Sequence, residues 1–131
     1  MSLLLDTQAW LWFVLGQPQL SAQAQRHIVD PANVKYVSPA SYWEISIKIS
    51  LGKYVLGKPY QTFMRQAIVG NGFRFLHISP RHTERVSTLP FLQNNHRDPF
   101  DRLLVSQASI EGMAIVSGDP SLDLYGIQRI W

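Results

Sequence analysis

The sequence has no cysteine. Without thiols the chain cannot form a disulfide framework, a thiolate zinc site or a cysteine nucleophile. Charged residues are also scarce, at 16%, whereas hydrophobic residues make up 46%, a balance typical of globular chains and not of disordered ones. The apolar run Ala9–Leu15 is too short to span a bilayer. At 131 residues, we expect a single domain over residues 1–131 and no membrane association.

Acidic residues are few and unevenly placed. There are nine against twelve lysines and arginines, and six of the nine fall in motifs that we expect to converge on one site, which leaves three elsewhere. The rest of the surface is therefore expected to be basic around a local acidic spot, which favours an anionic partner such as nucleic acid. The N-terminus lacks the basic region of a secretory signal, so we expect a cytoplasmic protein.

Short apolar segments alternate with helical patterns along the chain. Strands are predicted at Leu3–Leu5, Val34–Val37, Phe73–Ile78, Met113–Val116 and Gln128–Ile130. Helices are predicted at Thr7–Leu15, from the cap Ser21 to Val29, at Pro39–Leu51, Pro59–Ile68, from Ser79-Pro80 to Ser87 and from Asp98-Pro99 to Glu111, with a polar loop at Asn94–Arg97. The alternation predicts βαβ units and a parallel sheet covered on both faces.

Two acids follow predicted buried strands. Asp6 comes directly after Leu3–Leu5, and Asp119 comes shortly after Met113–Val116. In open parallel sheets, ligands bind beyond the carboxyl ends of the strands. Each acid also has a structural interpretation, since Asp6 can cap the next helix and Asp119 can belong to a turn before a proline.

Three further acids lie on predicted helices. Glu44 is in an otherwise apolar helix and can alternatively pair with Lys48 one turn later. Asp98 and Asp101 share the first turn of a helix, where Asp98 is a natural N-cap and Asp101 resembles the acid of a capping box. Asp123 lies four residues after Asp119 and is interpreted as a loop residue or a residue behind the site.

Converging carboxylates repel one another unless a cation neutralises them. Hard oxygen ligands without cysteine or paired histidines indicate Mg²⁺ or Mn²⁺, with one or two ions both possible. Metal-bound carboxylates on a basic protein suit hydrolysis of phosphodiesters. His82 and His96 could contact phosphate, although lone histidines more often have no special role. No zinc-protease, nucleophile-elbow or phosphate-loop motif is present.

Four of these segments together resemble the PIN-domain ribonucleases of the VapC toxin type. They are Leu4-Leu5-Asp6-Thr7, Ser38-Pro39-Ala40-Ser41-Tyr42-Trp43-Glu44-Ile45, His96-Arg97-Asp98-Pro99-Phe100-Asp101-Arg102-Leu103-Leu104 and Ile115-Val116-Ser117-Gly118-Asp119. The resemblance extends over nearly the whole chain in order and spacing.

The resemblance implies a Rossmann-like three-layer α/β/α sandwich with a central parallel sheet. It also implies a Mg²⁺- or Mn²⁺-dependent endoribonuclease that dimerises and is inhibited by a small cognate antitoxin. The family's four acids correspond to Asp6, Glu44, Asp101 and Asp119, with Asp98 as an additional catalytic acid beside the third. Thr7 and Ser117 correspond to hydroxyl positions near the metal, and Ser117 stands where threonine is commoner.

The apolar segment Ala9–Leu15 is hydrophobic on all sides as a helix. One face can join the core, so the other needs a cover, and Tyr42 and Trp43 raise the same question. We expect a homodimer interface and a groove for an antitoxin segment, with a thick core as the structural alternative.

Two other functions are compatible with this pattern. A catalytically inactive PIN-fold module that binds RNA or protein would keep the fold, although it has no reason to keep repelling acids together. A phosphoacceptor receiver domain also places acids at strand ends, but it needs an acidic pair after the first strand and a late lysine. Here Thr7 follows Asp6, and no lysine occurs after Lys58.

Overall fold

The computed structural model describes residues 1–92 and 96–131. The predicted loop Asn94–Arg97 therefore lies partly outside the described residues. The secondary structure runs in the order β1 Ser2–Leu5, α1 Thr7–Val14, α2 Ala22–Val29, β2 Val34–Val37, α3 Pro39–Ser50, α4 Tyr60–Ala67, β3 Arg74–Phe75, α5 Pro80–Thr88, α6 Pro99–Glu111, β4 Ala114–Val116 and β5 Arg129–Ile130, with short 3-10 helices at Val69–Asn71 and Pro120–Tyr125.

The helix starts follow the predicted capping signals. The side chains of Ser21, Ser38 and Asp98 each accept a hydrogen bond from a backbone N–H in the first turn of the helix that follows. Proline occupies the first position of α3, α5 and α6, where its missing N–H costs nothing. These caps determine where α3 and α6, which carry three of the predicted site acids, enter the fold.

The sheet is parallel, as predicted, with strand order β3-β2-β1-β4-β5. The first strand lies in the centre, and its residues pair with β2 on one side and β4 on the other; Leu4, for example, lies opposite both Tyr36 and Ile115. The strands β2 and β3 extend the sheet on one side of β1, whereas β4 and β5 extend it on the other side. The strand order therefore reverses between β1 and β4.

Alternating strand side chains build two hydrophobic cores. Leu3 and Leu5 face the core that α1, α2 and α4 cover, whereas Leu4 faces the core that α6 covers and α5 supports. All three leucines are fully buried. Helices thus cover both faces of the sheet, and the predicted three-layer α/β/α sandwich is confirmed.

The strand predicted at Phe73–Ile78 is much shorter than expected. Within residues 1–92 and 96–131 it is an edge strand, which pairs with β2 alone through Arg74 and Phe75. The Phe73 N–H instead bonds to Ile68 O in the preceding turn, and the bond from Leu76 N–H to Val37 O closes the ladder where β2 ends. The prediction of a β-strand here is correct, but its partner strand β2 ends too early to pair with six residues.

The apolar helix α1 is covered by the chain itself to a greater extent than expected. Trp10 is fully buried and its indole N–H donates to Ala67 O at 3.0 Å. Phe13 and Val14 pack against the same core, and the Trp12 ring lies 5.9 Å from the Trp131 ring. The exposed aromatic side chains lie elsewhere, at Phe91, Trp43 and Phe75, which are 61%, 59% and 42% exposed. Among the described residues, none of the helices has the length and apolar character needed to cross a membrane.

Candidate functional site

The crevice between the carboxyl ends of β1 and β4 holds the candidate site. The two strands remain joined at this edge, because Asp6 N–H donates to Val116 O at 3.1 Å. Beyond it, the chain from β1 enters α1 on one face, and the chain from β4 enters the 3-10 helix Pro120–Tyr125, whose Leu122 packs in the core on the other face. Such a divergence opens a crevice at the sheet edge, the usual ligand position in parallel α/β folds.

A cavity of about 170 Å³ in this crevice is lined almost entirely by polar residues. The structure brings all five of the acids predicted to be catalytic to its wall, together with two neutral residues. The lining residues are Asp6, Thr7, Gln8, Glu44, Asp98, Asp101 and Asp119.

Asp6 has a structural and an electrostatic role at once. Its Oδ1 accepts the Ala9 N–H at 2.7 Å, so it caps α1 as the structural interpretation required. Burial raises its pKa to about 6, against the lowering effect of hydrogen bonds from the Ser117 hydroxyl and the Ala9 N–H, and the charges of Glu44 and Asp119 add to the rise. Capping therefore does not remove Asp6 from the shared site.

Glu44 reaches the cavity from α3 and is held on both sides. The Thr7 hydroxyl donates to its Oε1 at 2.6 Å, across the boundary between α1 and α3. The predicted pairing with Lys48 also exists, since the ammonium nitrogen lies 3.5 Å from Oε2. Thr7, which is buried, thus orients the carboxylate, and Lys48 contributes a half-buried positive charge beside it.

Asp98 and Asp101 occupy the first turn of α6. Asp98 Oδ1 accepts the Asp101 N–H at 2.9 Å, which makes Asp98 the N-cap, as predicted. Burial raises the pKa of Asp101 to about 6; the nearby Asp98 charge raises it further and a hydrogen bond from His96 opposes the rise. The Asp98 side chain is more exposed than that of Asp101, so Asp101 is the deeper of the two acids.

Asp119 and Ser117 link the end of β4 to Asp6. The Asp119 N–H donates to Ser117 Oγ at 3.1 Å, and Asp119 Oδ1 accepts the Ser121 N–H at 2.9 Å. Ser117 is fully buried, and its hydroxyl lowers the pKa of the nearby Asp6 carboxylate. Asp119 is therefore both a turn residue and part of the cavity wall.

Asp123 lies outside the cavity wall. Both of its carboxylate oxygens accept from Arg129, at 2.7 and 3.0 Å, and this pairing lowers its pKa. Arg129 in turn donates to Ser117 O at 3.0 Å. Asp123 is thus connected to the site only through Arg129 and the backbone of β4.

The two histidines proposed as phosphate contacts have other partners. His82 is 2% exposed, accepts the Ser79 N–H at 3.0 Å and pairs with Glu111, so it is a structural residue of the core, which was the alternative for a lone histidine. His96 Nε2 lies 3.2 Å from Asp101 Oδ2. Sequence reasoning missed this pairing, although a histidine just before the N-cap of α6 was a usable signal.

The donor set fits a hard divalent cation. Carboxylate oxygens dominate the cavity wall, and burial without a cation already holds two of the acids at a raised pKa. Single donor atoms of His96, Asp101 and Asp119 can also be chosen that all lie within 4.8 Å of one another. That group differs from the predicted set of ligands because it includes an imidazole nitrogen.

A wider cleft of about 380 Å³ adjoins the acidic cavity. It shares Asp6 and Asp119 with the cavity and is otherwise lined mainly by Trp12, Gly118 and Trp131. A Cβ added at Gly118 would lie 3.0 Å from the Trp131 ring. The glycine therefore lets the indole close over the carboxyl end of β4.

Comparison with known proteins identifies the family. The family model of the PIN domain matches residues 3–127. The chain belongs to the PIN domain family. No curated protein matches the sequence of this PIN domain.

Several solved structures share the architecture of this PIN domain. A chain of VapBC2 from Rickettsia felis, bound to a DNA fragment from its promoter, has a TM-score of 0.73 at 15% identity, covering 98% of this chain and 97% of that one. A chain of DNA-bound VapBC from Salmonella typhimurium has a TM-score of 0.71 at 12% identity, with 98% and 96% coverage. Mycobacterium tuberculosis VapC20, a sarcin-ricin loop cleaving toxin, has a TM-score of 0.69 at 13% identity and 95% coverage of each chain. At these identities the similarity is one of fold.

Proposed function

We propose that this PIN domain is a divalent-metal-dependent endoribonuclease and the toxin of a toxin–antitoxin pair. The observation that carries the proposal is the cavity lined by five carboxylates between β1 and β4, where the strand order of the sheet reverses. Structural relatives that include a toxin cleaving the sarcin-ricin loop support RNA as the substrate.

Asp6, Glu44, Asp101 and Asp119 would hold the ion, and Mg²⁺ or Mn²⁺ suits their all-oxygen chemistry. A bound ion of this kind supplies an activated water and neutralises charge on the phosphate oxygens. Asp98 shares the wall and adds negative charge beside Asp101.

The chain's own contacts hold these acids in place before any ligand arrives. The backbone N–H of Ala9 fixes Asp6, and the Thr7 hydroxyl fixes Glu44. Ser117 joins the β4 end to Asp6. Preorganised carboxylates need not rearrange during the reaction, which is the main structural contribution of a protein to metal-assisted hydrolysis.

The rest of the surface favours a polyanion. Eight of the twelve lysines and arginines are exposed. If the five acids of the site and Asp123 are set aside, only three acidic residues remain. The resulting potential draws RNA towards the protein, while the cation makes the acidic cavity accessible to phosphate.

An RNA cleavage assay tests the nuclease activity. We expect purified protein to cut single-stranded RNA with Mg²⁺ or Mn²⁺, and EDTA or Asp6→Asn to abolish cutting. Asp30→Asn is the matched control, because Asp30 precedes β2 at the opposite edge of the sheet and caps a turn through Ala32 N–H. Cleavage that persists in EDTA or in the Asp6 variant contradicts the proposal, and RNA binding without cleavage favours the inactive module.

A growth assay tests the toxin role. We expect expression of this chain to arrest bacterial growth, Asp6→Asn to relieve the arrest, and co-expression of a small protein encoded immediately upstream to relieve it for the unchanged chain. Normal growth with a stably produced, RNA-cleaving protein contradicts the toxin role alone. The VapBC structures from Rickettsia felis and Salmonella typhimurium support such a partner.

Self-association is a further part of this proposal. The exposed Trp43 and Phe91 leave apolar surface that a second copy would cover. We expect a homodimer by sedimentation at micromolar concentration, weakened by Trp43→Ser. A monomer under those conditions contradicts the proposed homodimer and leaves the proposed nuclease activity unaffected.

A further inference from the structure

A continuous series of polar contacts runs from the cavity wall into the core. Asp101 Oδ2 lies 3.2 Å from His96 Nε2, and His96 Nδ1 lies 2.8 Å from the Tyr125 hydroxyl. The same hydroxyl lies 3.3 Å from Arg102 Nη1. Three residues that the metal site itself does not need are thus aligned behind one of its acids.

The chemistry of the four groups determines where each proton lies. A guanidinium can only donate, so the Tyr125 oxygen accepts from Arg102 and its own proton is available for His96 Nδ1. A neutral imidazole carries one proton, and with Nδ1 accepting, that proton is on Nε2. His96 therefore donates from Nε2 to Asp101.

The opposite end of the series leads to the same arrangement. An ionised carboxylate can only accept, so Asp101 requires a proton on Nε2. The alternative tautomer would set two lone pairs against each other at 3.2 Å. The Asp101 carboxylate therefore selects the Nε2–H tautomer, and the Tyr125 hydroxyl, which accepts from Arg102 and keeps its own proton for Nδ1, fits that tautomer.

Packing holds the series in one position. Arg102 is 5% exposed and also donates to Leu89 O at 2.8 Å and Pro90 O at 3.0 Å. Its guanidinium lies 4.2 Å from the centre of the Phe91 ring. The Tyr125 and His96 rings meet edge to face with centres 5.7 Å apart. A buried arginine with three hydrogen bonds thus anchors a tyrosine that orients the imidazole.

We propose that His96, held by Tyr125 and Arg102, is a positioning residue that orients the Asp101 carboxylate and does not itself bind the ion. A ring nitrogen that donates its proton to Asp101 has no lone pair for a metal, so its proximity to Asp101 and Asp119 reflects support and not coordination. Hydrogen bonds to ligating carboxylates are a common second layer of metal sites. The inference rests on the proposed metal site, which it deepens.

Long-range ¹H–¹⁵N NMR of the metal-free protein tests the tautomer directly. At a pH where the imidazole is neutral, we expect the Nε2–H form of His96 in the unchanged protein. In Tyr125→Phe, which keeps the ring contact and removes only the hydroxyl, Asp101 still accepts the Nε2 proton, so the tautomer is kept and the Nδ1 resonance shifts because that nitrogen loses its hydrogen bond. Tyr36→Phe, in the same hydrophobic core, is the matched control and should leave both the tautomer and the Nδ1 resonance unchanged. An Nδ1–H form in the unchanged protein overturns the inference whether or not metal binds.

Mn²⁺ binding tests the consequence for the site. We expect Tyr125→Phe to weaken Mn²⁺ affinity by about 10- to 100-fold, the usual effect of removing a group behind a ligand, and Tyr36→Phe to leave it unchanged. Pulsed EPR of bound Mn²⁺ should show no coupling to a directly bonded ¹⁴N. Equal affinities, or a directly bonded nitrogen that His96→Gln removes, overturn this inference alone. An unchanged protein that binds no Mn²⁺ overturns the proposed metal site and this inference together.

Discussion

Asp6 combines two demands that usually conflict. As the N-cap of α1 it contributes to stability, and as a partly buried acid near Glu44 and Asp119 it is costly to ionise. Asparagine caps helices about as well as aspartate does, so Asp6→Asn removes the charge and keeps the cap. We expect this substitution to raise the free energy of unfolding of the metal-free protein near neutral pH, by up to about 3 kcal/mol for a pKa rise of this size.

The pH dependence of stability should also show that the folded protein disfavours ionised Asp6. Burial raises the pKa of folded Asp6 from 3.8 to about 6, so between these values the unfolded chain is ionised while the folded protein retains a proton. Unfolding then releases a proton, and the contribution of Asp6 to stability falls as pH rises through that window. Urea titrations across the window should show this fall in the unchanged protein and in Asp30→Asn, and a smaller fall in Asp6→Asn. Destabilisation by Asp6→Asn at neutral pH contradicts the shared site.

At the scale of elements, the effects of helix capping and of charge can be measured separately at the start of α6. Asp98 accepts the Asp101 N–H, and its charge also raises the pKa of Asp101. Asp98→Asn and Asp98→Ala both remove the charge, but only asparagine keeps the cap, so we expect the alanine variant to be less stable by about 1 kcal/mol. Thermal unfolding of the two variants side by side measures that difference. Equal stabilities show that the cap contributes nothing.

The turn after β4 allows a second test at this scale. A methyl group at Gly118 would meet the Trp131 ring at 3.0 Å. We expect Gly118→Ala to displace the indole, change its near-ultraviolet circular dichroism and cost about 1–3 kcal/mol by overpacking. Gly57→Ala is the control, because open space surrounds a Cβ at that position. An unchanged Trp131 signal contradicts the close contact.

At the scale of the whole molecule, a cation that binds only the folded state stabilises it by mass action. At a hundred times its dissociation constant the gain is about 2.7 kcal/mol, which corresponds to several degrees in melting temperature for a domain of this size. We expect Mg²⁺ or Mn²⁺ to produce that rise and Asp101→Asn to reduce it. KCl at equal ionic strength is the control, and an equal effect of KCl indicates general screening.

The sequence predicted the fold well because its signals are local. Proline after serine or aspartate marked the starts of α3, α5 and α6, and the apolar runs marked β1 and β4. It could not predict the length of β3, which depends on where β2 ends. The grouping of four of the five acids followed from two strand ends and the start of α6, whereas Glu44 lies in the second turn of α3. Tyr125 and Arg102 carry no local signal, because only the folded chain brings them to His96.

The central position of β1 also bears on how the protein is made. Asp6 is synthesised well before Asp119, since its strand is completed only by β4 and Asp119 follows β4. At about 5–20 residues per second, the interval between the two acids lasts roughly 6 to 23 seconds. A ribosome-bound chain therefore carries no complete acidic cavity until Asp119 has emerged. The order of the strands along the chain thus delays the assembly of the site during synthesis.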